Sequence, residues 1–189
     1  MRKVLFIMGQ LDDHDVQWLA DNGNRKRFAA GAELVREGQP NQYLYIILDG
    51  HAAVRVAGIG EVARLGAGEL IGEMSLVDAA PPSASVAALD DLLVLEVDYG
   101  HLRAKVESDA GFGLRLFRAI AIFLSDRLRG TTKRLGFGEG TGLVEDVIQE
   151  GELDMNVLDT IHLAGTRFDM LLKTLSGARQ SPQGEGDRR

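Results

Sequence analysis

The 189-residue sequence predicts a mainly β fold, a barrel or sandwich of short strands with helices on either side. Three observations predict it. From Arg27 to Val97, short apolar runs are cut by Gly31, Gly38, Gly50, Gly58, Gly60, Gly66, Gly68 and Gly72. Turn signals recurring every ~8–12 residues mark all-β architectures. Several runs alternate: in HAAVRVAG, Ala52, Val54 and Val56 share one face. Outside this block the apolar period lengthens to threes and fours, the spacing of helices.

The elements follow in order. Residues 1–26 form a helical lead-in, in which LDDHDVQWLADNG is capped by Asp12 or Asp13 and stopped at Asn22-Gly23. Residues 27–98 hold the strands, with runs at Glu33–Arg36, Tyr43–Leu48, Ala52–Val56, Val62–Leu65, Ser83–Ala88 and Leu92–Val97. YLYIILDG is apolar on both faces and is expected at the centre. Residues 99–135 hold two helices. The first is Tyr99–Ser108, and in the second Phe112, Leu116, Ile120, Phe123, Leu124 and Leu128 form a stripe. Leu114, Phe117, Ala121 and Ile122 widen that stripe, so the helix either lies in a groove of its own barrel or also meets a second copy. Residues 136–154 read as an acidic, Gly-rich linker. Residues 155–177 read as an amphipathic helix with Val157, Ile161, Ala164, Phe168, Leu171 and Leu175 on one side, followed by a disordered tail over 178–189.

Composition narrows the function classes. With 45% hydrophobic and 26% charged residues the chain has a soluble globular profile. The absence of cysteine removes disulfides, thiolate chemistry and cysteine-bound zinc. The four histidines, His14, His51, His101 and His162, show no metal-ligand spacing, and His51 stands alone on its hairpin. No nucleotide-binding P-loop, nucleophile elbow or zinc-protease motif is present, so neither catalysis nor a metal is expected. The net charge is −7, and from Leu135 through Thr166 there is no Lys or Arg, which argues against nucleic acid as a partner. MRKVLFIMGQ is too short for a secretory core, and no run approaches the ~18 apolar residues of a membrane span. The expected location is the cytoplasm.

With the residues placed, about Leu11 to Leu135 resembles the cyclic-nucleotide-binding domain, the family of the catabolite activator protein and the regulatory subunits of cyclic-AMP-dependent kinase. VREGQPNQYLYIILDG, the block ARLGAGELIGEMSLVDAAPPSASVAALDD and the helical pair after it carry the resemblance together. It implies a β-roll or jelly-roll barrel of about eight strands with an N-terminal helix and C-terminal helices. It also implies that residues 72–86, GEMSLVDAAPPSASV, correspond to the phosphate-binding cassette. Gly72 allows a tight backbone turn, and the turn at Glu73, Met74 and Ser75 presents free helix-start N–H groups to an anion. By the resemblance, Glu73 accepts from a ribose 2′-OH, Ser83 touches a cyclic phosphate, and Ser85 contacts base or phosphate.

One position departs from the family pattern. The cassette arginine is replaced by Pro82, which offers neither a guanidinium nor a backbone N–H. Removing one partner of a buried charged pair costs about 2–5 kcal/mol, a loss of tens to thousands in affinity. Arg64 is the candidate substitute cation, and Arg55 is expected to point away from the Ala52–Val54–Val56 face. The expectation is therefore a cytoplasmic sensor that binds cyclic AMP or cyclic GMP weakly. It would rearrange its helices and so change a protein contact, with a homodimer formed through Leu116, Ile120, Phe123, Leu124 and Leu128. The alternative is a ligand-free interaction scaffold. A transcription regulator is disfavoured because an acidic linker occupies the place of the DNA-reading helices.

Overall fold

The computed structural model describes residues 7–136 and 155–177, with side chains described for 7–132 and 163–176. The linker over 137–154 and the tail over 178–189 lie outside the described residues. A helical turn over 7–10 (α1) leads into α2 (Asp13–Asn22). Asp12 is the cap: its carboxylate accepts from the Asp15 N–H at 2.9 Å, and the Asp15 carboxylate accepts from the Asp12 N–H at 2.9 Å. Two donors that the first helical turn leaves orphaned are thereby satisfied.

Eight strands follow: β1 (Asn24–Phe28), β2 (Glu33–Val35), β3 (Tyr43–Asp49), β4 (Ala52–Val56), β5 (Gly60–Leu65), β6 (Leu70–Ile71), β7 (Ser85–Ala88) and β8 (Leu92–Asp98). They form two four-stranded antiparallel sheets, ordered β1-β8-β3-β6 and β2-β7-β4-β5. The sheets do not close into a barrel, so the roll is open.

The apolar sequence of β3 has a direct cause. Tyr45 and Ile47 face the roll interior with Val35, Ala52, Leu65 and Val86, while Leu44, Ile46 and Leu48 face the helices. β8 repeats the division, with Leu92 and Val94 inward and Leu93, Leu95 and Val97 outward. A strand covered on both sides has no polar face to offer.

Beyond β8, α4 (Tyr99–Ser108) is capped by Asp98, whose carboxylate accepts from the Gly100 N–H at 2.7 Å and the His101 N–H at 3.2 Å. Then come α5 (Ala110–Gly136) and α6 (Met155–Gly177), after the short α3 (Glu73–Asp78) inside the sheet region. α6 docks on the chain's own core: Ala164, Leu171 and Leu175 are buried beside Leu11, Val16 and Leu19. Arg167 reinforces this with a 2.8 Å pair to Asp13 and a 3.3 Å bond to the Met8 carbonyl. Arg25 donates to the Leu175 carbonyl at 3.1 Å.

The dimer stripe expected on α5 is corrected by its packing. Leu116, Ile120 and Phe123 are buried in the chain's own core with Phe112, and Leu124 is half-buried against it. Only Leu128 of the five is open to solvent, at 67% exposure. The outward seam runs instead through Leu114, Phe117, Ala121, Leu124 and Leu128, alternating steps of three and four. No described helix is long and apolar enough to cross a membrane.

Candidate functional site

The cassette segment begins where β6 ends. Gly72 takes φ +90°, and a β-carbon there would stand 2.5 Å from Asn41 Nδ2, 2.5 Å from the Tyr43 carbonyl oxygen and 2.9 Å from the Tyr99 hydroxyl. Only glycine fits such a position. The crowding is a bolt: the Tyr99 hydroxyl donates to the Gly72 carbonyl at 2.5 Å, and Asn41 Nδ2 donates to both the Tyr43 carbonyl and Tyr99 Oη at 2.7 Å. The first residue of α4 therefore grips the first residue of the cassette. At its far end, α3 is closed by Ala79 at φ 57°, a left-handed conformation that costs a residue with a β-carbon about 1–2 kcal/mol.

Glu73 is buried, with 2% of its surface exposed, and its Oε1 accepts from Arg127 Nη1 at 2.6 Å. Arg127 reaches it from α5. Its guanidinium lies 4.5 Å from the Phe123 ring centre and donates from Nη2 to the Leu70 carbonyl at 3.4 Å. Burial pushes the Glu73 carboxyl above its ordinary range, and the Arg127 charge opposes that shift. The cassette is thus tied to both helices that follow the roll, at Tyr99 and at Arg127.

The other expected site residues fall on different surfaces. Met74 is exposed, and Ser75 is buried at 6% exposure with its hydroxyl unbonded to any described residue. The Pro82 carbonyl accepts from the Gly38 N–H at 2.8 Å, which pins the return of the loop to the turn before β3. Ser83 is exposed.

Ser85 is corrected: its hydroxyl accepts from the Glu37 N–H at 3.0 Å, it meets the Glu33 carboxylate, and it pairs with Arg55 across the sheet. Cross-strand partners share a face, and this one is opposite the Val54 and Val86 side. Arg64 is corrected for the same reason. It stands opposite Ala53 rather than Ala52, is 61% exposed, and holds Glu61 at 2.6 Å. It does not supply the cassette with a cation.

Arg127 is the cassette contact that reading the sequence missed. It lies 54 residues from Glu73, and its sole local signal is its position one helical turn after Phe123. Among the described residues no group of three or more His, Asp or Glu side chains is arranged to hold a metal.

Comparison with known proteins adds an independent line. A family model described as the cyclic nucleotide-binding domain matches residues 25–109. A cAMP-dependent protein kinase regulatory subunit of Candida albicans is 30% identical over 92 residues, spanning 49% of this chain and 20% of that protein. The chain thus matches about a fifth of the length of such curated relatives. Among solved structures, a cyclic nucleotide-binding domain from Methylobacillus flagellatus is 25% identical with a TM-score of 0.64, covering 75% of this chain and 85% of that one. The regulatory subunit of a cAMP-independent protein kinase A from Trypanosoma brucei is 26% identical with a TM-score of 0.51, covering 68% of this chain and 41% of that one.

Proposed function

Because the chain belongs to the cyclic nucleotide-binding domain family, we propose that it is a non-catalytic, cytoplasmic sensor in which a cyclic nucleotide at the cassette exchanges contacts with Arg127. The observation that carries this reading is the Glu73–Arg127 pair. A ribose hydroxyl at Glu73 must share or displace the guanidinium, so binding at the cassette acts directly on α5. A ligand moves such an equilibrium only by its differential affinity for the two arrangements. The cassette is weak toward a phosphate as it stands. Pro82 brings no charge, and Arg127 is matched by Glu73. Cyclic AMP or cyclic GMP is the expected ligand class.

The output of the sensor is a protein contact through α5. The outward seam of Leu114, Phe117, Ala121, Leu124 and Leu128 has the three-and-four spacing of a two-stranded coiled coil, which supports a homodimer. Light scattering of the full chain at tens of micromolar checks it, and a strict monomer removes this part of the reading. The net charge of −7 supports no role for nucleic acid.

The deciding experiment is calorimetric titration with cyclic AMP and cyclic GMP of the natural chain and of Pro82→Arg. Weak or millimolar binding is expected for the former, and tightening of about ten- to a thousand-fold for the latter. If neither protein binds, the sensing reading fails. A second reading, a ligand-free scaffold, is favoured by one specific observation: the expected substitute cation, Arg64, is held by Glu61, and Arg127, the arginine that reaches the cassette from α5, is held by Glu73. Its resemblance to a regulatory subunit described as cAMP-independent points the same way.

A further inference from the structure

A concavity lies against the cassette helix. It measures about 320 Å³ and opens between the residues before β3, Ser75 of α3 with the residues that follow the helix, and the first turns of α4. None of the roll-interior residues lines it, and neither does Glu73. Its volume falls at the lower end of small-molecule sites, ~300–1,000 Å³.

The polar groups around it divide into those already used and those left over. Asn41 spends its amide on Tyr43 and Tyr99, Tyr99 donates to Gly72, and Asp98 Oδ1 accepts from two N–H groups of α4. Two groups remain. Ser75 is more than nine-tenths buried as a residue, and its hydroxyl opens onto the cleft with no bond to a described residue. The Arg103 guanidinium stands 5.9 Å from the Tyr99 ring centre and pairs with no carboxylate among the described residues. Pro40 and Pro81 provide apolar walls. Ala79, held in its left-handed conformation, forms part of the same wall.

We propose that this cleft, which Ser75 and residues 79–81 of the cassette line but Glu73 does not, is a ligand site for a small organic monoanion. Arg103 receives the anionic head group, Ser75 Oγ hydrogen-bonds a neighbouring polar atom, and the apolar body lies between Pro40 and Pro81. Such an occupant bridges α3 and α4, the two elements that the Tyr99–Gly72 bond already links.

The probes are benzoate and phenyl phosphate, with benzyl alcohol as the uncharged control. Each is titrated into the isotope-labelled full chain and followed by amide chemical shifts, with calorimetry for affinity. Saturable shifts at Ser75, Tyr99 and Arg103 are expected with at least one anion and absent with the alcohol, and the stronger of the two anions identifies the head group. Arg103→Ala should weaken that binding at least about tenfold, as for loss of a charge-assisted hydrogen bond. Ser75→Ala should weaken it about threefold to tenfold. Arg103 is exposed, so its variant is expected to retain the fold, which the unperturbed amide spectrum verifies. No saturable shift with either anion overturns the proposal. So does binding that Arg103→Ala leaves unchanged, or displacement of the anion by cyclic AMP acting at the same resonances.

Discussion

Two buried carboxylates in this molecule are each held by an arginine of α5, and the two pairs behave differently. Asp15 receives Arg115 through two bonds, Nε at 2.5 Å and Nη2 at 2.8 Å, and accepts the Asp12 N–H besides. Burial pushes its carboxyl up, but Arg115 and the hydrogen bonding around Asp12 outweigh burial and hold it below the ordinary range. Glu73 receives Arg127 through one oxygen, and there burial wins. Both carboxylates are 2% exposed, but Glu73 is surrounded by far more protein than Asp15, so the difference lies in depth of burial together with how many donors face the charge. The Asp15 pair fastens α2 to α5. The Glu73 pair fastens the cassette to the same helix about 18 Å further along, but leaves its carboxylate under-solvated. A hydroxyl arriving at Glu73 supplies a donor that the site lacks, whereas one arriving at Asp15 would find none of its needs unmet. The same helix therefore carries a fixed anchor and an exchangeable one.

Breaking each pair gives the largest effect. Arg115→Ala and Arg127→Ala each strand a buried carboxylate, and each is expected to cost about 3 kcal/mol near neutral pH, the low end for such losses because both arginines are partly solvated. Urea denaturation measures this. The comparison predicts an asymmetry on acidification. Without Arg127, Glu73 takes up a proton readily, so the penalty of Arg127→Ala should shrink markedly by about pH 5. The penalty of Arg115→Ala should persist to lower pH, because the Asp12 N–H still favours the Asp15 carboxylate. Equal recovery of both variants would show that the two anchors are alike.

Much of this frame was legible in the sequence. The Asp12 cap, the two-faced apolar run of β3, the Gly72 turn and the outward direction of Arg55 follow from local rules of capping, alternation and backbone conformation. β1 was not legible: NRKRF is an edge strand whose polar side chains stay largely in solvent, so it has no apolar face to announce it. β6 is two residues long and shows no period. The face of Arg64 depended on pairing with Ala53, a cross-strand register displaced by a bulge between Val54 and Arg55. Leu116, Ile120 and Phe123 announced an apolar stripe but not which surface would cover it, since a helix packed on its own core and one packed on a copy share the same period. Arg127 was hidden for a different reason. A pair between distant segments leaves no trace in the spacing of either one.

A smaller effect sharpens the comparison without removing either arginine. Asp15 sits below its ordinary 3.8 in the folded protein, so the native state binds its proton less readily than the unfolded chain. Its contribution is present above that value and is lost as pH falls through the lower, folded one. Glu73 sits above its ordinary 4.5, so there the native state binds the proton more readily. Its contribution is greatest below 4.5 and declines as pH rises through the folded value. Substitution by the amide removes each titration while keeping the shape. Asp15→Asn should flatten the acid-side fall in stability below about pH 4, and Glu73→Gln should flatten the decline that begins just above it. The readout is the slope of unfolding free energy against pH between about 2.5 and 7, not its absolute value, since both variants also lose a charge pair. If Glu73→Gln leaves that slope unchanged, its carboxylate is as well solvated as that of Asp15, and the cassette anchor has no unmet demand for a ligand to answer.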